Sequence, residues 1–495
     1  VIRTAVSLAI SRRNRPEELL LVERSKTLRY FGGFLAFPGG TLDSEDTAIP
    51  VEGLTQGALG PFVAAGAREL FEETGIWLGR GGRAPSAAVL REDRRRLLAK
   101  EASFAELLAK HNQHLDARDL APLCRITTPP FSPVRFDTWF LRGLVPENAS
   151  VEIWDGELVS GDFALPEATL ELWRRGGVSI APPMIVLLEE WSRGQDGLFD
   201  RVREMTEAYE RGKLHRIYFS PGILLAPLTT PTQPPATHTN TLVIGEERIY
   251  LVDPSPSDGS EQQRLFELLD DLIAEGRSLE GILLTHYHRD HVGALSETQS
   301  RFAAPARAHP DCMKRLPGTR FGRALEHGDE IDLGMAPDGT VGWKLRAYHV
   351  PGHAKGHLAF QESRYGAIAV GDLVSTLSSI LVDPSDGHLA TYLESLQFLE
   401  AVTEGTLYPG HGPPAPDGRA VIRKTLEHRR EREEQVLAAL SSEPQSPREL
   451  LLKIYTDVDP KVYHLAERSL LSGLIKLEEE GRVVRNEAGY RLPSS

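Results

Sequence analysis

Cysteine is nearly absent: Cys124 and Cys312 are the whole complement of the 495 residues. Two thiols cannot build a disulfide framework or a cysteine-ligated zinc site. A reducing, cytoplasmic setting fits that usage best, with export in the absence of disulfides left open. No apolar run approaches the roughly 20 residues that span a bilayer, so no membrane partner is expected. Positive charge is in the minority, with 56 Lys and Arg against 70 Asp and Glu and a formal net charge of −14. That balance argues against broad electrostatic capture of nucleic acid, although a local basic groove is compatible with it. Low-complexity tracts and internal repeats are also missing. The chain opens on Val1 rather than Met, which leaves its true start open. Residues 1–10 alternate like a strand and are too short and polar-flanked for a signal peptide.

A length of 495 residues exceeds a single core, and about 100–200 residues per domain suggests three or so. Residues 1–216 contain alternating apolar segments at 6–10, 19–22 and 136–141, and a charged amphipathic helix is expected over 91–110. Residues 220–235 are proline-rich, cannot continue a regular helix or central strand, and mark the passage to a second domain over 217–415. There, residues 241–244 and 249–252 read as a hairpin, 261–275 as a helix and 281–284 as a buried strand. Residues 416–495 read as three short helices and a two-stranded ribbon, the pattern of a winged helix.

Residues 285–291 (Thr-His-Tyr-His-Arg-Asp-His) follow that buried strand. His286 and His288, two apart in extended chain, point the same way and can share one ion. Asp290 and His291 begin the next turn and reach a second ion nearby. Buried histidines without a metal would be costly, because each ring needs hydrogen-bond partners. Further single ligands stand in loops expected after strands: His353 after 343–350, Asp372 after 367–370, and His411 after 406–408. Glycines beside each allow close backbone approach.

This set resembles the metallo-β-lactamase superfamily, with five motifs in order. The resemblance implies one zinc held by His286, His288 and His353, and a second held by Asp290, His291 and His411, with Asp372 bridging. It also implies that Asp290 orients an attacking water and that Asp253 supports the site. His357 matches a position that usually supports the ligands from behind or faces substrate, and the structural reading is favoured for it. His309, His327, His349 and His388 lack flanking ligand patterns and read as ordinary surface or core residues.

Glu69, Glu72 and Glu73 fall at i, i+3 and i+4, so on a helix their carboxylates share one face. Three anions so close repel unless a multivalent cation holds them, and hard oxygen ligands suit Mg²⁺ or Mn²⁺. Gly75 is placed to cap the helix. With Phe37-Pro38-Gly39-Gly40, residues 68–76 resemble the Nudix box, matching its REUxEExGU core throughout. The resemblance implies a diphosphate hydrolase, with Glu69 and Glu73 among its catalytic groups. Two departures stand out. Gly40 lies 28 residues before Arg68, about twice the usual separation, and Gly60 occupies the position that is usually glutamate. Both fit a branch with an insertion after that loop, which includes the coenzyme A diphosphatases. Similar Phe-Asp-Thr and Ala-Pro-Pro elements occur at residues 136–138 and 181–183, and Glu157 is a further candidate carboxylate.

The expected fold is therefore α/β and α+β multidomain: a Nudix α/β/α sandwich, a metallo-β-lactamase αββα sandwich, and a small winged helix. Residues 217–495 also resemble a branch that includes a mitochondrial endoribonuclease. Three functions follow. The favoured one is a bifunctional hydrolase, cutting a thioester-like acyl bond at the zinc site and a nucleotide or coenzyme A diphosphate at the other. The second is an RNA-processing enzyme, with RNA as partner. In the third, the Nudix half only binds its ligand. Homo-oligomerisation stays open.

Overall fold

The computed structural model describes residues 2–28, 31–54, 57–456 and 458–493. The chain divides into two compact units, residues 1–221 and 222–495.

In the first unit, strand Ile2–Arg12 runs parallel to Arg135–Val145, from Ile2 opposite Arg135 to Arg12 opposite Val145. Alternation along it sends Val6, Leu8 and Ile10 into one core. Its sheet has the order Gly39–Thr41, Ile2–Arg12, Arg135–Val145, Leu120–Thr127. A second sheet has the order Ser179–Ile180, Phe34–Ala36, Leu19–Arg24, Leu158–Ala164. Helix Gly60–Thr74 starts on Pro61, ends at Gly75 in the left-handed conformation, and buries Val63, Ala67, Leu70 and Phe71 in that core. Its carboxylate positions 69, 72 and 73 are thereby set beside the strand Gly39–Thr41. Residues 91–110 form two helices rather than the expected one, Ala87–Leu98 and Phe104–Lys110. Lys100 adopts a positive φ of 56°, and Ser103 restarts the helix through a capping box with Glu106. That local signal overrides the continuous amphipathic pattern.

In the second unit, one sheet runs Ile223–Thr229, His238–Ile244, Arg248–Val252, Ser278–Leu283, Ala306–Arg307. The other runs Glu330–Met335, Val341–His349, Leu358–Glu362, Ile368–Ser375, Leu407–His411. Helix Gly259–Ala274 buries Leu265, Leu268, Leu269 and Leu272. Helices Leu389–Val402 and Gly418–Ala439 pack Leu396, Leu399 and Ile422 against Ile368 and Val370 of the other sheet. The proline-rich residues 220–235 do not interrupt regular structure as expected, since they contain strand Ile223–Thr229 with Pro227 opposite Asn240. A strand tolerates proline wherever no ladder N–H is required.

The C-terminal part has helices Gly418–Ala439, Pro447–Ile454 and Tyr463–Glu479, then the ribbon Val484–Asn486 and Gly489–Arg491. The first of these is 22 residues long, not short as expected. Leu450, Leu451, Leu470, Leu474, Leu477 and Tyr490 share one small core. Among the described residues, no helix is long and apolar enough to cross a membrane.

Candidate functional site

Strand Ser278–Leu283 delivers the segment 285–291 at its carboxyl end, and His288 stands at the start of the short helix Arg289–Val292. Asp372 and His411, expected in loops, lie within strand Ile368–Ser375 and at the last residue of strand Leu407–His411. The pairing between these two strands is irregular at Gly371, which turns Asp372 towards the histidines. At Gly410 an added Cβ would lie 2.3 Å from Asp372 Oδ1, so only glycine fits beside that carboxylate.

The side chains converge in two groups. His286 Nε2 and His353 Nε2 each lie 3.0 Å from His288 Nδ1. His411 Nε2 lies 3.6 Å from Asp290 Oδ2, and Asp290, His291 and His411 form the second group. Asp372 spans them: Oδ1 is 3.2 Å from His291 Nε2 and 3.3 Å from His411 Nε2, and Oδ2 is 3.7 Å from His353 Nε2. His291 Nε2 and Asp372 Oδ1 are buried with no hydrogen-bond partner among the described residues. Nitrogen and carboxylate ligands facing one another across buried, unsatisfied atoms are what a divalent cation requires. Asp253, His286 and His291 also lie within reach of one cation. Asp253, however, faces Nδ1 of His291 at 2.8 Å, the side away from the converging Nε2 atoms, and both its oxygens are engaged. It is a positioning group.

Each ligand's second ring nitrogen is anchored. Nδ1 of His353 meets the Leu381 carbonyl at 3.0 Å, and Nδ1 of His411 meets the His238 carbonyl at 2.9 Å. Nδ1 of His286 lies 3.0 Å from Thr285 Oγ1, and Nε2 of His288 lies 3.0 Å from Asp386 Oδ2. These contacts fix which nitrogen is presented to a metal. His357, fully buried, accepts the backbone N–H of Asp372 at 3.2 Å and so braces the segment that carries this carboxylate. Asp386 was not expected from sequence. It sits in a polar turn, Asp383-Pro-Ser-Asp386-Gly387, that looks like any other turn. The loop 376–388 carrying Asp386 and the Leu381 carbonyl is held by the C-terminal helices. Arg429 and Ser472 donate to the Ile380 and Val382 carbonyls, and Arg468 pairs with Asp383 at 2.7 Å.

Electrostatics match that geometry. Burial keeps His286 neutral well below its ordinary range and takes His353 down to about 4, so both rings are ready to ligate. Burial opposes charge on His291 and His411, but the Asp372 carboxylate outweighs it and holds both protonated above the usual range. Asp372, despite its burial, is held ionised by those two rings. A cation binding there replaces protons. The discounted histidines have other roles: His309 and His349 stack at 4.0 Å, His327 packs on Phe398, and His388 caps helix Leu389–Val402.

In the first unit, the Gly39 N–H donates to Glu73 Oε2 at 2.8 Å, bringing the glycine loop onto the carboxylate helix despite the long intervening segment. A Cβ at Gly40 would lie 2.3 Å from Glu69 Oε1. The inserted residues form a short turn, Ser44–Ala48, whose buried Asp46 takes two 2.9 Å bonds from Arg68. Arg68 also reaches Glu69 at 2.9 Å and Glu72 at 3.3 Å. Burial, then repulsion from Glu69, pushes Glu73 up to about 8, and burial takes Glu69 to about 7. Glu157 adds to the repulsion on Glu73. Gly60 begins the helix and provides no ligand. The glutamates are not among the described side-chain groups within reach of a single cation, as Arg68 lies between Glu69 and Glu72.

Comparison with known proteins agrees with the second unit. A model of the metallo-beta-lactamase superfamily matches residues 234–411, and one of the beta-lactamase associated winged helix domain matches 446–491. A Beta-lactamase-like protein 2 homolog of Drosophila melanogaster is 27% identical over 258 residues, covering 50% of this chain and 84% of that protein. The atrochrysone carboxyl ACP thioesterase AacuM of Aspergillus aculeatus is 29% identical over 208 residues, 41% of this chain and 59% of its own length. A NUDIX hydrolase crystal structure from Alicyclobacillus acidocaldarius is 26% identical with a TM-score of 0.36, covering 39% of this chain and 92% of that one. The chain thus carries a metallo-beta-lactamase-fold hydrolase domain with a candidate metal site over residues 234–411, followed by a winged helix domain.

Proposed function

We propose that the second unit is a dinuclear zinc hydrolase of acyl thioesters, and that the first is a Nudix-type hydrolase of nucleotide or coenzyme A diphosphates. The observation that carries the first half is the span of Asp372 between the two ligand groups. One oxygen faces His291 and His411 and the other faces His353, as a bridging carboxylate requires. Two zinc ions held by His286, His288 and His353, and by Asp290, His291 and His411, would supply Lewis acidity for a carbonyl oxygen and acidify a water towards neutrality. Asp290, half-buried beside His411, orients the attacking water oxygen. The thioester carbonyl accepts that oxygen, the C–S bond breaks, and a carboxylic acid and a thiol leave. The thioesterase name borne by the Aspergillus aculeatus relative supports this bond class.

For the first unit, the support is a helix face of glutamates whose pKa values are raised, by burial first and then by their mutual repulsion, in Glu69 despite its pairing with Arg68. Mg²⁺ or Mn²⁺ at Glu69, Glu72 and Glu73 would have to replace the Arg68 guanidinium that lies between Glu69 and Glu72, and would then neutralise a diphosphate. Gly39 keeps Glu73 in place.

The test is an assay of the full chain, loaded with Zn²⁺ and Mg²⁺, on acyl-coenzyme A, free coenzyme A and single-stranded RNA. Thioester hydrolysis is expected and falls at least about a hundredfold in Asp290→Ala. Diphosphate cleavage is expected to be lost in Glu73→Gln. A wild type inert towards thioesters refutes the first assignment, and RNA cleavage lost in Asp290→Ala replaces it. Coenzyme A binding without cleavage makes the first unit a binding module.

A further inference from the structure

A cavity of about 720 Å³ opens from the metal ligands and runs to the C-terminal helices. The C-terminal part contributes the apolar side chains of Tyr455, Val458, Val462, Leu465 and Ala466 to its lining, which Ile380 and Leu381 also join. The charged groups along it are unequally committed. Of the lining carboxylates outside the ligand set, Asp383 is paired with Arg468, and Asp386 bonds His288 and Tyr287. Arg429 is spent on the Ile380 carbonyl. Arg289, exposed beside Asp290, has no carboxylate partner among the described residues, but no ring among them holds it in place, as one holds Arg432. Arg432 lies over the Tyr455 ring at 4.3 Å, and no carboxylate among the described residues pairs with it. An arginine fixed over an aromatic face keeps its guanidinium edge free for an anion. In a chain of net charge −14, this cation, without a carboxylate partner among the described residues, stands on the wall of the cavity that holds the metal ligands.

We propose that Arg432 binds the phosphate of a phosphopantetheine thioester, so that the C-terminal helices select substrates by the carrier rather than by the acyl group. The inference rests on the thioesterase reading for its bond class, but it concerns a separate group, in the C-terminal helices rather than the metal centre. A cavity that leads from the ligands past apolar side chains to an arginine held on an aromatic ring suits a flexible, largely uncharged arm ending in a phosphate. That chemistry is shared by coenzyme A and by acyl carrier proteins.

The experiment uses the zinc-loaded full chain and two inert probes, the S-propyl thioethers of 4′-phosphopantetheine and of pantetheine, which differ only in the phosphate. A monophosphate also avoids the diphosphate linkage proposed for the first unit. Calorimetry is expected to give at least tenfold tighter binding of the phosphorylated probe. Arg432→Gln removes that preference, Arg432→Lys restores part of it, and zinc content stays unchanged. With propionyl thioesters, Arg432→Gln raises KM about tenfold on coenzyme A or on a carrier protein, with kcat within about twofold, and the carrier affected names the source. The N-acetylcysteamine thioester, which has no phosphate, is unaffected. Equal binding of both probes by wild type and Arg432→Gln overturns the proposal. So does an Arg432→Gln loss confined to single-stranded RNA. Arg432-dependent probe binding without thioester turnover supports the phosphate site and refutes the thioesterase reading alone.

Discussion

Asp253→Asn isolates the support of one histidine of the candidate metal site. Asp253 is 2% exposed and receives three donors: the Thr285 N–H at 2.8 Å on Oδ1, and Thr285 Oγ1 at 2.6 Å and His291 Nδ1 at 2.8 Å on Oδ2. Its φ is +52°, a region asparagine enters readily, so the substitution adds no backbone strain and little volume change. An amide, however, has one acceptor oxygen, so either flip turns its NH₂ on Thr285 or on His291. A donor facing a donor in a buried site costs about 1–3 kcal/mol. Loss of a carboxylate behind a ligating histidine weakens a metal site about 10–100-fold, or about 1.4–2.7 kcal/mol. Stepwise zinc competition against a chelator reads the effect, with His353→Ala identifying the step that belongs to the first ligand group. The second group, Asp290, His291 and His411, is expected to weaken within that range while the first holds to about threefold. Unchanged affinity at the second group, or equal loss at both, refutes the reasoning.

Asp386→Ala is the converse: it strips Nε2 of His288 of its partner, so the first group should lose about 10–100-fold in zinc affinity and the second should not. Phe71→Ala removes a fully buried ring from the first unit's core and is expected to cost about 3–5 kcal/mol in denaturant unfolding. His349, stacked on His309, has its pKa depressed by burial to about 4 from an ordinary 6.5. Its stabilising contribution is therefore present above pH 6.5 and lost as pH falls through 4. His349→Phe keeps the ring and should flatten the acid side of the metal-free stability profile by about 1–2 kcal/mol, after discounting for solvent screening. An unchanged acid limb would count against it.

The residues that the fold gathers into the candidate metal groups were legible because their spacing is set by strand ends. His286, His288, Asp290 and His291 leave one strand, and each remaining residue comes beside a glycine. Asp386 was not legible, since a carboxylate in a polar turn reveals its partner only when loop 376–388 folds back onto His288. The break at Lys100 was hidden beneath a continuous amphipathic pattern, although Ser103 and Glu106 wrote a capping box there. Pro227 misled in the other direction, because proline forbids a ladder N–H and not a strand. Asp46 lay in the segment that separates Gly40 from Arg68, and only the fold pairs it with Arg68.

The central claim is a two-metal centre bridged by Asp372. The direct measurement is anomalous diffraction at the zinc edge from crystals of the zinc-reconstituted protein. The account predicts two peaks, one among His286, His288 and His353 and one among Asp290, His291 and His411, with the Asp372 carboxylate between them. A single peak, or ions bound away from Asp372, contradicts it.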